Sequence, residues 1–144
     1  MTSLHTTRQP GTAPNSTSTA MRRVGYGLST FAVLFLLLDA GMKVMALPVV
    51  LQASAQLGYP ATAGFAHLLA AMMLASTLLY VIPRTSVLGA VLLTAYLGGA
   101  VASHLRVGDP VATHDLFGVY LAIFIWGGLY LRNSNLRAVF PWCR

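Results

Sequence analysis

Asp39 and Lys43 stand one helical turn apart inside an otherwise apolar stretch, and their types and spacing are the ones in this sequence best suited to chemistry. At i and i+4 they share a helix face, with the acid before the base, which is the favourable order. Leaving either side chain charged and unpaired near a bilayer centre costs roughly 2.5–3.5 kcal/mol. Two roles answer that cost. The pair can neutralise itself and face neighbouring helices, or it can form a proton or anion site facing a water-filled pocket, since an intramembrane ionisable group is a functional candidate by default. His67 sits in Phe65-Ala66-His67-Leu68-Leu69. A hydrogen bond across helices is its ordinary role, and metal or haem ligation the special one. His104 is its candidate partner in a bis-histidine haem site. A quinone is the other cofactor open to such a chain, although no aromatic spacing marks a quinone box. No catalytic set and no metal site are read from these residues. There is no Ser-His-Asp or Cys-His set, no phosphate-cradling glycine loop and no dense ligand cluster.

The elements that must position these residues follow from composition. The chain has 144 residues, of which 56% are hydrophobic and 8% charged, with mean hydropathy +0.70. Soluble proteins carry about 25% charged residues, so a water-soluble domain of this size would lack the polar surface to cover its core. The expected fold is all-α: a polytopic membrane protein built as a four-transmembrane-helix bundle. The net charge of +6 does not point to nucleic acid, because the basic residues lie at helix ends without interleaved aromatics. The expected partners are the lipid bilayer and membrane or redox-complex proteins. Cys143 is the only cysteine, which excludes an intramolecular disulfide, a C-x-x-C redox pair and a thiolate cluster built by one chain.

Residues 1–20 are rich in Thr, Ser, Pro and Asn and read as a disordered tail. The transmembrane domain reads as 21–132, with spans at about 25–47, 61–82, 86–107 and 113–131, each near the ~20 residues needed to cross the hydrocarbon core. Residues 133–144 read as a short tail. Arg22-Arg23 precedes a run that continues past Asp39 to Leu47 without a cleavage site, so the first span reads as retained rather than as a signal peptide. Pro48, Gly58-Tyr59-Pro60, Pro83 and Gly108-Asp109-Pro110 separate the spans. Arg8, Arg22, Arg23, Arg84, Arg132, Arg137 and Arg144 fall on one side and Arg106 alone on the other. The positive-inside rule then gives both termini and the Arg84 loop to the cytoplasm, in a plasma membrane. On that topology the Asn15-Ser16-Thr17 glycosylation acceptor is silent.

With this orientation Asp39, Lys43, His67, His104, Arg106, Asp109, His114 and Asp115 all fall in the outer half of the bundle, and the inner half holds almost no groups of these types. The expected polar pocket comprises Asp39, Lys43, His67, Tyr96, Ser103 and His104. Arg106, Asp109, His114 and Asp115 form its outer rim. Asp115 needs no function beyond the first-turn dipole, with Thr113 as its cap, and Arg106 pairs with Asp109 across an exposed loop. Gly89, Gly98, Gly99 and Ala100 are small residues suited to close helix approach. Trp126, Tyr130 and Trp142 read as interfacial anchors.

Several strings resemble the DoxX-like family of small bacterial membrane proteins. They are Leu57-Gly58-Tyr59-Pro60, Tyr80-Val81-Ile82-Pro83-Arg84-Thr85, Leu88-Gly89-Ala90, the run from Tyr96 to Pro110, and Trp126-Gly127-Gly128-Leu129-Tyr130-Leu131-Arg132. The Gly98-Gly99-Ala100-Val101-Ala102-Ser103-His104 segment is the most specific of them, and Asp39-Ala40-Gly41-Met42-Lys43 fits an early Gly and Lys of the family. The resemblance runs from about Gly25 to Pro141. It implies four helices in the membrane and an association of some relatives with oxidoreductase complexes that deal with sulfur or oxidative stress. The family name itself comes from a subunit of a thiosulfate–quinone oxidoreductase. One departure stands out. The family pattern has Glu ten residues before the Pro-Arg-Thr turn, where this chain has Met73, so chemistry carried by that Glu is either lost here or moved to His67.

Three functions are therefore open. The first is an accessory, non-catalytic component of a membrane redox or oxidative-stress system. The second is a small proton-coupled transporter or channel, although half-helices broken by Gly or Pro are missing from the sequence. The third is a scaffold or assembly factor.

Overall fold

Backbone chemistry at the ends of each apolar run decides where the helices stop. The computed structural model describes residues 19–108 and 115–139. The helices are α1 (Thr19–Val44), α2 (Pro48–Gln56), α3 (Ala63–Val81), α4 (Ser86–Val107), α5 (Asp115–Arg132) and α6 (Ser134–Val139). No strand occurs among the described residues. The expected disordered tail as far as residue 18, the rim residues Asp109 and His114, the Thr113 cap, Trp142 and Cys143 lie outside the described residues. Asp115 is described only as the first residue of α5.

α1, α3 and α4 have 26, 19 and 22 residues and are long and apolar enough to cross a membrane. The apolar part of α5, Phe117–Arg132, is shorter. The four pack as a ring, α1 against α5 and α3, and α4 against α3 and α5. The outside of the ring is oily, with Phe31, Leu34, Leu38, Leu68, Leu78 and Ile123 all exposed. A continuous apolar surface of this kind belongs against lipid. The protein is an all-α membrane bundle.

The segment from Pro48 to Pro60, read from its breakers as a connection, contains a helix instead. Pro48 is the first residue of α2, a position where its missing N–H is no loss. Each end of the segment is closed by the same device. Ala46 is left-handed at φ 46°, with Leu47 N donating to Met42 O at 3.2 Å and Ala46 N to Lys43 O at 3.1 Å. Gly58 is left-handed at φ 75°, with Tyr59 N donating to Ser54 O at 2.8 Å and Gly58 N to Ala55 O at 2.9 Å. Both are Schellman closures, which satisfy the orphan carbonyls of a helix end. Thr62 then caps α3 by accepting from Phe65 N at 3.3 Å.

Close approach of the helices depends on particular small residues. A Cβ on Gly89 would lie 2.2 Å from Tyr80 N, so α3 and α4 touch backbone to backbone there. A Cβ on Gly128 would lie 2.9 Å from Ser29 N and 3.0 Å from Gly25 O, which fixes α1 against α5. Gly98 and Gly99, read as packing residues, have open space where a Cβ would go, and Ala100 is exposed. The correction has a simple cause: these three lie on the stretch of α4 beside a cavity and the outer surface, not on a neighbouring helix.

The Arg84 end of the bundle carries a hydrogen-bonded network that the distribution of charges does not announce. Tyr80 is fully buried, and its hydroxyl donates to Ile125 O at 2.9 Å. With that proton committed, the 2.9 Å contact with Ser29 has Ser29 as donor. Three helices are thereby joined through one phenol. Arg132 donates to Tyr80 O at 3.1 Å and lies 4.8 Å from the centre of its ring. Its charge thus meets one of the last carbonyls of α3, where a cation is favoured. Trp126, read as an interfacial anchor, donates to Thr94 Oγ1 at 2.8 Å and ties α5 to α4.

Candidate functional site

At the opposite end the helices part around a cavity of about 670 Å³. The sequence opens it from the α4 side, where Ala95, Gly99, Ala100 and Ser103 recur on one face with little side-chain volume. α1 faces them with Phe35, Leu36, Asp39, Met42 and Lys43, while α2 contributes Val50, Ala53 and Ser54, and Leu57 follows at its end. Phe65, Leu69 and Met72 of α3 and Phe117, Gly118 and Leu121 of α5 complete the walls. Most of the lining is apolar.

The polar lining is concentrated in few groups. Lys43 donates to Asp39 Oδ1, and both side chains are mostly covered, with relative exposures of 15% and 28%. Tyr96 is half-buried, lines the same cavity and stands close enough to Asp39 to feel its charge. Ser103 donates to Gly99 O at 2.8 Å. Its hydroxyl proton is therefore committed, and the 2.8 Å contact with Tyr59 has the Tyr59 phenol as donor. Tyr59 also stacks on Phe65, with ring centres 5.3 Å apart. Arg106 donates to Leu57 O, so the partner seen for this rim residue is a carbonyl at the end of α2. Together Tyr59 and Arg106 fasten the α2 segment to α4.

Of the six residues read as a polar pocket, Asp39, Lys43, Tyr96, Ser103 and His104 line this cavity. His67 does not. It is exposed, and its Nε2–H donates to Val44 O at 2.9 Å. Val44 is the last residue of α1, so His67 satisfies an orphan carbonyl at a helix end. His67 and His104 therefore do not share a cavity, and one of the two imidazoles already spends its Nε2 on the backbone. The residues do not fit a bis-histidine haem. Nor does His67 stand in for Met73: six residues apart, the two point about 120° from each other around the helix. Met73 is fully buried in the core.

Sequence reasoning missed Tyr59 and the whole α2 wall. The available signal was Val49-Val50, Ala53 and Leu57 behind Pro48, an apolar face at helical spacing that begins where proline is welcome.

Chemically, the cavity offers two long-range charges that cancel, four hydroxyls and an imidazole at one end of an oily chamber. Its volume falls within the ~300–1,000 Å³ typical of small-molecule sites. Among the described residues no group of three His, Cys, Asp or Glu is placed to hold a metal ion. No curated protein and no solved structure matches the chain significantly. The sequence profile of the DoxX-like family matches residues 27–128, and the chain belongs to that family of membrane proteins.

Proposed function

We propose that this protein is an accessory component of a membrane redox system and holds an amphipathic, quinone-class molecule in the α2-capped cavity. The observation that supports this most is the composition of the chamber: apolar walls with Asp39, Lys43, Tyr96 and Tyr59 gathered in it. A quinone headgroup needs hydrogen-bond donors at its carbonyl oxygens and an oily channel for its tail. Lys43 and Tyr96 supply donors, while Phe35, Leu69, Met72 and Leu121 supply apolar contact. When bound, a quinone would supply two-electron, two-proton redox chemistry. The chain's own residues bind it, exclude bulk water and keep a carboxylate and an ammonium beside it. The family's association with oxidoreductase complexes agrees with that reading.

The test uses purified protein in lipid nanodiscs and a short-chain ubiquinone. Saturable binding is expected, and Ala53→Trp, which fills the chamber from α2 without touching the ion pair, should weaken it at least about tenfold, a loss of roughly 1.4 kcal/mol. No saturable binding, or equal binding in the variant, removes the proposal. Flux of protons into liposomes that Asp39→Asn abolishes would favour the transporter reading in its place.

The same proposal places the protein in the plasma membrane with both termini cytoplasmic. Support comes from Arg22, Arg23, Arg84, Arg132 and Arg137 at one end of the bundle against Arg106 at the other. Cys143 is a natural reporter, because it is the only cysteine. A membrane-impermeant maleimide should label it in inverted vesicles and leave it unlabelled in intact spheroplasts. The opposite pattern reverses the orientation.

A further inference from the structure

A second recess lies at the Arg84 end, between α1 and α3, with a volume of about 290 Å³. Arg132 and Thr30 provide polar lining, while Val33, Leu34 and Val81 provide apolar walls. Along α1 the lining runs from Tyr26 to Leu34, a rise of about 12 Å. It starts one turn beyond Arg22 and Arg23, which sit in the first turns of α1. The recess therefore descends from the depth of lipid headgroups to that of acyl chains.

The bundle end around it is basic. Arg22, Arg23, Arg84, Arg132 and Arg137 belong to this end, and the chain's three acidic residues, Asp39, Asp109 and Asp115, belong by their places in the sequence to the other. Arg132 is the one of these cations that lines the recess. Its single contact with a carbonyl and its stacking on Tyr80 orient the guanidinium, yet its Nε is buried with no hydrogen-bond partner. Among the described residues no carboxylate pairs with Arg132, and guanidinium is suited to phosphate in two-point geometry.

We infer that this recess binds an anionic phospholipid of the adjacent leaflet, the Arg132 guanidinium meeting the phosphate and the Val33–Leu34–Val81 groove holding the start of an acyl chain. Nothing in this site depends on the occupant of the larger cavity. Basic pockets between transmembrane helices are suited to such headgroups, at about 1 kcal/mol for each basic residue engaged.

Native mass spectrometry of the full chain, with phosphatidylglycerol and phosphatidylcholine of identical acyl chains in equal amounts, reads the preference directly. Wild type should retain the anionic lipid about fivefold over the zwitterionic one. Arg132→Gln should abolish the preference. Thr30→Trp, which occupies the groove and leaves the Tyr80 network alone, should do the same, so the outcome does not depend on Arg132→Gln folding well. Arg84→Gln, equal in charge change but outside the recess, should keep the wild-type ratio. Equal retention of the two lipids by wild type, or equal effects of Arg84→Gln and Arg132→Gln, overturns the inference. So does displacement of the lipid by inorganic phosphate alone, which would make this a site for the free ion.

Discussion

Gly89→Ala is expected to lose about 3 kcal/mol of stability, the upper end for overpacking. The reason is what the new methyl group meets. A Cβ at Gly89 would stand 2.2 Å from Tyr80 N, 2.5 Å from Tyr80 Cα and 2.7 Å from the Leu79 carbonyl carbon. All three are backbone atoms, so no side chain can swing away, and relief requires α3 and α4 to separate. Separation would disturb Tyr80, whose hydroxyl links α1 to α5 and whose carbonyl accepts from Arg132. Gly98→Ala provides the contrast, since nothing lies within 4 Å of its Cβ. There the lower chain entropy of alanine should give a neutral result or a gain of up to about 1 kcal/mol. Thermal unfolding of the three proteins in the same detergent, followed by circular dichroism, separates the cases. Equal melting temperatures would mean that the α3–α4 contact is looser than described.

That contrast also shows what could be read from residue types. Glycines announce close approach as a class, and Gly89 and Gly98 both read as packing residues. Their difference is one of helix face: Gly89 meets Tyr80, whereas Gly98 looks outward. Four apolar runs between breakers were legible because lipid demands long helices whose backbone bonds are closed internally. α2 was not, since Pro48 terminates a helix from one side and begins one from the other, and only the Schellman closures at Ala46 and Gly58 decide between them. Depth along each span brings Asp39, Lys43, Tyr96, Ser103 and His104 to one level. Depth alone cannot tell that His67 faces away from them, because azimuth depends on the packing of α3 against its neighbours. The Ser29–Tyr80–Arg132 network escaped for a different reason. Its members are separated by 51 and 52 residues in sequence, and no local pattern connects a serine, a tyrosine and an arginine so far apart.

Removing Lys43 should cost more than removing Asp39, although the two form one ion pair. Lys43 lies in the last turn of α1 and Asp39 one turn deeper. If Asp39→Asn takes away its partner, the Lys43 ammonium retains the helix C-terminal dipole, which favours a cation. Its long stem can also lift the charge toward the interface. Lys43→Met leaves a short carboxylate that can do neither, and the same dipole now opposes it. The expected losses are about 1 kcal/mol for Asp39→Asn and about 3 kcal/mol for Lys43→Met, the latter near the cost of an unpaired acid within a span. The double variant Asp39→Asn with Lys43→Met should return to within about 1 kcal/mol of wild type, because replacing both members of a buried pair removes the charges together. Melting temperatures of the four proteins in one detergent form the cycle. Additive losses, with the double variant the least stable, would show that the two charges are independently solvated and not paired within the cavity. Binding read on the same four proteins divides structure from function. If the double variant is as stable as wild type yet no longer binds a short-chain ubiquinone, the pair serves the ligand. If it binds equally well, the pair serves only the insertion of α1, and the donor at the headgroup must be Tyr96.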